Sequence, residues 1–165
     1  MATDYFLKIN GVDGESLKKG HEKEIEIESY SWGQNNSGGH AGGGPGGGVG
    51  KSHASDFSFK MVINKASPLL FQHCATGKHI SDAVLTLREA GGKQQDYHKI
   101  KFTDILVSSF QTGGGGADKG DVKPKEIMTF NFAKIEYGYA PQKKDGSPDT
   151  FITKWYDYQT TEGGG

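Results

Sequence analysis

The sequence predicts an all-β fold, mainly antiparallel, built as a β-barrel or a two-sheet sandwich with one short α-helix. Three observations carry this expectation. Apolar residues recur with period two in one segment after another, the spacing of strands that bury one face. A single stretch, from Ser67 to Gly77, has both helical spacing and helical punctuation. Most of the 26 glycines cluster at 38–50, 91–92, 113–116 and 163–165, and such clusters mark connections, because glycine inside an element costs about 0.5–1 kcal/mol relative to alanine. The 165 residues suit one domain, large enough to bury roughly 70% of its unfolded surface. Residues 1–165 are therefore read as a single domain, with a long glycine-rich loop from Ser37 to Gly50 and a flexible tail at 163–165.

The strands follow in order. Tyr5, Leu7 and Ile9 alternate with Phe6 and Lys8, and Ile25 and Ile27 alternate with Glu24, Glu26 and Glu28 in a strand that runs on toward Trp32. Phe57, Phe59, Met61 and Ile63 share one face, with Ser58 and Lys60 on the other. Ala83, Leu85 and Leu87 face away from Thr86 and Arg88. Ile100 and Phe102 alternate with Lys99 and Lys101, after which the apolar parity flips near Asp104 to Ile105 and Val107. The stretch from Ile127 to Tyr139 flips in the same way, from Met128, Phe130 and Phe132 to Ile135, Tyr137 and Tyr139. A parity switch inside one strand signals a bulge or a corner. A last strand is expected from Phe151 to Tyr158, after a turn-rich run from Pro141 to Asp149.

The helix is expected to start with Ser67 as N-cap and Pro68 at the first helical position. Leu70 and Cys74, and Phe71 and Ala75, make its four-residue pairs, and Gly77 closes it at C′. At about ten residues it is marginal alone and must pack on the sheet or plug a barrel end.

Composition narrows the function. The net charge is −1 and Arg88 is the sole arginine. Arginine is the preferred fork for phosphates and base edges, so a nucleic-acid binder is not expected. No run approaches the ~18–20 apolar residues of a membrane span, so membrane insertion is not expected either. The single cysteine, Cys74, excludes an intrachain disulfide. The N-terminal residues have no basic segment followed by an apolar run. The chain is expected in the cytoplasm and, if exported, to leave without a cleavable signal peptide.

Candidate reactive groups do not assemble into chemistry. Gly50, Lys51 and Ser52 look like the end of a phosphate-binding loop, but Pro45 stands where its first glycine belongs. A strand pattern follows where such a loop needs a helix N-terminus. His73, Cys74 and His79 suggest a metal or a Cys-His pair. Adjacent helical residues point about 100° apart, and no second cysteine sits at metal spacing, so the expectation is a buried Cys74 in the helix stripe with exposed histidines. Glu24, Glu26 and Glu28 read as a solvated or interfacial face. Tyr137, Tyr139, Trp155, Tyr156 and Tyr158 read as core filling or a protein interface. No catalytic residue, cofactor or metal site is expected.

One resemblance joins these fragments. The opening Asp4-Tyr5-Phe6-Leu7-Lys8-Ile9 is followed by Gly14-Glu15-Ser16, His21, Ser31-Trp32-Gly33 and the glycine tract ending in Gly50-Lys51. Asp56-Phe57-Ser58-Phe59, Ser67-Pro68-Leu69 and Gly77-Lys78-His79 come next. Leu85-Thr86-Leu87-Arg88, Ala90-Gly91-Gly92, Thr112-Gly113-Gly114, Asn131-Phe132-Ala133 and Tyr139-Ala140-Pro141-Gln142 complete the series. In order and spacing they resemble Hcp, the haemolysin-coregulated protein family that builds the tube of the bacterial type VI secretion system. The ending, Thr160-Thr161-Glu162 and three glycines, departs from it.

The resemblance implies a β-barrel with one helix that closes into homohexameric rings. The rings stack into a hollow tube tipped by a spike protein and driven out by sheath proteins, and its lumen holds small effector proteins. It implies a lumen-facing, effector-contacting role for Ser31. The loop residues Gly42, Gly43, Gly44, Pro45, Gly46, Gly47, Gly48, Val49 and Gly50 are read as a ring-stacking loop. Two other readings compete. A monomeric small-ligand-binding β-barrel requires an enclosed apolar pocket. An enzyme requires Lys51 and Ser52, or Cys74, to act as the reacting groups.

Overall fold

Period-two alternation produces the strands it predicts, and long-range pairing closes them into a barrel. The computed structural model describes residues 2–38, 51–115 and 123–165. Its elements are β1 (Thr3–Ile9), β2 (Ile25–Glu26), β3 (Ser29–Ser31), β4 (Gln34–Asn36), β5 (Ser52–Ala54), β6 (Phe57–Val62), α1 (Ser67–Thr76), β7 (Ile80–Glu89), β8 (Asp96–Gly113), β9 (Lys125–Tyr139), β10 (Ile152–Asp157) and β11 (Glu162–Gly164). The main sheet runs β11-β10-β9-β8-β7-β1-β2, with β6 also on β9 and β3 on β6, every pair antiparallel. β4 and β5 form a separate hairpin.

Closure depends on one segment changing partners. β2 pairs with β1 and β3 pairs with β6. Between them Ile27 N–H donates to Tyr5 O at 3.1 Å and Glu28 N–H to Lys60 O at 2.8 Å. The strand expected from Glu24 toward Trp32 is thus two short strands that carry the wall from β1 across to β6, and no sheet edge is left open there.

The interior is aromatic. Phe57 lies 4.8 Å from Phe102 and 4.9 Å from Phe130, and Phe102 and Phe130 meet edge-on at 5.0 Å between centroids. All three are at most 2% exposed. Such pairs contribute about 0.5–1.5 kcal/mol each beyond area burial.

The predicted corner sits at Asp104, whose φ of 57° is left-handed. Phe102 and Ile105, on either side of it, both point into the core. β9 changes parity opposite it, between Phe130 and Ile135. The β8–β9 register shifts a little further on, between Val107 and Ser109.

Several local expectations are corrected. Ser67 is not the N-cap: Ala66 holds that place and makes no side-chain cap bond. The work falls to Asn64, whose Oδ1 accepts from Ala66 N–H at 2.9 Å while its own N–H donates to Ser67 Oγ at 3.1 Å. Ser67 Oγ in turn donates to buried Glu126, which sets a carboxylate at the positive end of α1. Gly77 closes the helix with φ 69°, its N–H on His73 O at 3.0 Å. α1 packs on β8, burying Leu70 and leaving Phe71 58% exposed.

Ile63 lies past the end of β6 and is exposed, and Tyr137 and Tyr139 are half exposed where β9 outruns the core. Phe6, expected on the outer face, is fully buried. The tail expected to be flexible pairs with β10 as β11. A Cβ on Gly164 would stand 3.1 Å from the Trp155 indole nitrogen, so the strand fits because it has no side chain there.

Candidate functional site

Strand alternation that sends Tyr30, Phe57 and Phe59 inward sends Ser29, Ser31, Ser58 and Lys60 outward. Register then sets them side by side: Ser31 opposite Ser58, which is opposite Thr129, and Ser29 opposite Lys60, which is opposite Ile127. Ser31 is exposed. It borders a shallow depression of about 160 Å³ lined by Ser29, Ser58, Lys60 and Ile127 together with edges of Tyr30 and Phe59. The face continues onto β8, where Ser108 Oγ donates to Asp56 Oδ2 at 2.6 Å and lies 2.7 Å from Thr129 Oγ1.

This surface suits contact rather than reaction. Serine and threonine have little rotamer freedom to lose when a partner covers them, and their hydroxyls donate or accept as the partner requires. A serine nucleophile needs a base within hydrogen-bond reach. The hydroxyls here meet a carboxylate at Asp56 and one another, while His21, His73, His79 and His98 bond elsewhere.

The two histidines flanking Cys74 in sequence are each held through Nδ1 by another partner. His73 Nδ1 is 3.1 Å from Lys78 O and His79 Nδ1 is 2.7 Å from Asp104 Oδ1. Cys74 is part-buried against the core. Among the described residues, no group of three His, Cys, Asp or Glu could hold a metal. Lys51 is exposed and Ser52 begins β5, paired with β4; a strand stands where a phosphate loop requires a helix N-terminus. Of the glutamates, Glu28 pairs with Lys125 at 3.2 Å and Glu24 turns to His21. Residues Gly42 to Gly50 lie outside the described residues.

The second concavity was not foreseen. A cleft of about 620 Å³ opens between the barrel and β10, lined by Tyr30, Trp32, Gln34, Ile100, Ile135, Tyr137, Lys154, Trp155 and Tyr156. Burial pushes the Tyr30 phenol up, with Tyr137, Tyr5 and Tyr97 adding to the effect. Burial also raises Tyr158, helped by Tyr156, and its hydroxyl donates to Gln34 Oε1 at 2.6 Å. The sequence signal for this cleft was the density of aromatics near the C-terminus. What the sequence could not give was β10 curling toward Tyr30 and Trp32. Among the described residues, the barrel interior is packed by phenylalanines together with Leu7, Ile25, Met61, Leu85 and Ile100.

The fold thus defines the class: an antiparallel β-barrel with one short helix against its wall, and an outer face of small polar side chains. The chain belongs to the Hcp family of type VI secretion system proteins. Residues 6–139 match the family described as "Type VI secretion system effector, Hcp". The chain is 46% identical over 150 residues to Protein hcp1 of Pseudomonas aeruginosa, covering 90% of each. Among solved structures it is similar to one titled a type six secretion system protein, at TM-score 0.89 and 27% identity, covering 99% of this chain and 100% of the other. It is also similar to Hcp1 from Salmonella typhimurium, at TM-score 0.77 and 32% identity over 99% of both. The family is one of secreted type VI proteins rather than of enzymes. No helix among the described residues is long and apolar enough to cross a membrane.

Proposed function

We propose that the chain, acting as a single domain, is the repeating subunit of a type VI secretion tube. Six copies close into a ring, rings stack, and the hollow assembly is expelled with a spike protein at its tip after contraction of surrounding sheath proteins. The lumen holds small effector proteins. The observation that carries this reading is the exposed hydroxyl-lined face around Ser31, set on a rigid barrel wall. A lumen that must hold cargo and let it go needs contacts that are polar, short and individually weak. Ring closure needs one patch to meet a different patch on the next copy. The half-exposed Tyr137 and Tyr139 and the exposed Phe71 and Leu69 are apolar surface for such contacts. The segment from Gly42 to Gly50 serves as the stacking loop, reaching a neighbouring ring with little apolar area.

Sedimentation velocity tests the assembly: the expected species has six times the mass of the 17.8 kDa chain, and a single copy at every concentration and salt would sink the reading. The lumen role is tested separately. A Ser31→Tyr variant is expected to keep the ring's sedimentation and lose co-sedimentation of a small effector. Unchanged effector binding would remove Ser31 from the cargo contact.

A further inference from the structure

The Hcp reading makes no use of a buried polar cluster under the loop joining β1 to β2. His21 is only 7% exposed. Its Nδ1 is 2.9 Å from Glu24 Oε2, and its Nε2 is 3.0 Å from Asp96 Oδ1 on β8. The ring stacks on Phe6 of β1 at 4.3 Å and 3°. Arg88 of β7 also lies over Phe6, at 4.9 Å, and its Nη1 donates to Lys19 O at 3.0 Å. Asp4 of β1 stands 3.9 Å from Arg88 Nη2. Arg88 Nε and Nη2 are buried without a hydrogen-bond partner among the described residues.

A neutral imidazole has one N–H and one lone pair, so it donates to only one of two carboxylates. Donation to both requires the imidazolium. The charge balance agrees: with His21 protonated, Asp4, Glu24 and Asp96 face two cations, and with it neutral they face Arg88 alone. Deprotonation therefore turns one bond into a carboxylate against a lone pair, in a place largely shielded from water.

His21 and Arg88 are side-chain ties between the barrel and a loop that is also folded by its own backbone bonds. Gly14 N–H donates to Lys23 O at 2.7 Å, Ser16 N–H to Glu24 O at 3.1 Å and Lys23 N–H to Ser16 O at 2.9 Å. These fold the loop on itself, and His21 with Arg88 ties it to the barrel. The loop covers Phe6 and presents Leu17 at 94% exposure.

We propose that His21 is a protonation-dependent latch: as imidazolium it clamps the loop of residues 12–24 to β1, β7 and β8, and loss of its proton releases that loop from the barrel wall. The direction is fixed by the geometry. The closed loop is favoured at low pH, and its hold weakens as pH rises and the ring loses the proton that bonds its second carboxylate.

Site-resolved hydrogen exchange on the intact protein, corrected for intrinsic exchange, tests this with Leu85 of β7 as the barrel reference. Protection of the Gly14, Ser16 and Lys23 amides is expected to fall about tenfold or more between about pH 5 and about pH 9, with Leu85 unchanged. His21→Gln is expected to give low, pH-independent loop protection. Asp96→Asn, which keeps the titrating ring but removes one carboxylate, is expected to move the release to lower pH. Nitrogen-15 shifts of the ring should show both nitrogens protonated while the loop is closed. A flat wild-type profile, a slope that survives in His21→Gln, or a neutral ring under a closed loop would each overturn the latch.

Discussion

The two halves of β9 make a controlled comparison within one strand. Both halves pair with β8 along one edge. Along the other edge, Lys125 to Phe130 pair with β6 and lie in the closed barrel, while Lys134 to Tyr139 pair with β10 and project beyond it. The first half buries Met128 and Phe130 to within 2%. The second buries Ile135 and then leaves Tyr137 and Tyr139 about half exposed. The same alternation therefore yields stability where a second wall faces it, and available surface where none does. Period two determines which side a residue takes; only topology determines whether anything is there to meet it.

The comparison is broken most severely at Phe130. Truncation in the closed half, Phe130→Ala, removes a ring that touches Phe57 and Phe102, and is expected to cost about 3–5 kcal/mol. Tyr137→Ala in the open half is expected to cost within about 1 kcal/mol. Denaturant midpoints at unchanged slope measure both. Equal losses would show that the open half is as much core as the closed one.

Next in size is Glu126, at the closed end. Its carboxylate is 2% exposed and accepts from Ser67 Oγ at the start of α1. Glu126→Ala leaves a hydroxyl without its acceptor and a helix N-terminus without its anion, for about 1–3 kcal/mol. Amides of α1 should lose protection before those of β8. Uniform loss across the barrel would instead make Glu126 a general core residue.

These cases show what was legible in the chain. The parity flips at Asp104 and beyond Phe130 were readable because alternation is a local property, and so was the helix stop at Gly77. Ser67 was misplaced by one residue because its hydroxyl answers to Glu126, 59 positions away. Phe6 was assigned to the outside because nothing local announces that the 12–24 loop folds over it. The β4–β5 hairpin flanks the glycine tract with Gln34, Asn35, Asn36 and Ser52, which lack an apolar rhythm. The tail was read as flexible for a like reason, since glycines carry no pattern, yet β11 pairs with β10 where Trp155 and Tyr156 leave room only for hydrogen. At the candidate site, Ser58 and Lys60 were placed outward by alternation alone. Ser31 was singled out through resemblance alone, and pairing puts it beside them.

The smallest expected effect lies at the seam between the halves, on Tyr30. Its ring stacks at 5.8 Å on Phe57 of the closed barrel and meets Tyr5 edge-on at 5.9 Å, while also lining the cleft beside Tyr137. Burial raises its phenol, and the Tyr137, Tyr5 and Tyr97 phenols raise it further as they ionise. The folded chain therefore keeps this proton to a higher pH than the unfolded chain does. That contribution is present in full below about pH 10, the unfolded tyrosine value, and is lost as pH climbs through the raised folded value. The denaturant midpoint should decline in that alkaline window, and Tyr30→Phe, which keeps the ring and removes the titrating group, should shallow the decline. Tyr158→Phe should shallow it less cleanly, since that change also removes the bond to Gln34. If the Tyr30→Phe chain declines as steeply as the parent, the phenol is wetter than its packing against Phe57 implies, and the boundary between closed and open halves lies on the barrel side of Tyr30.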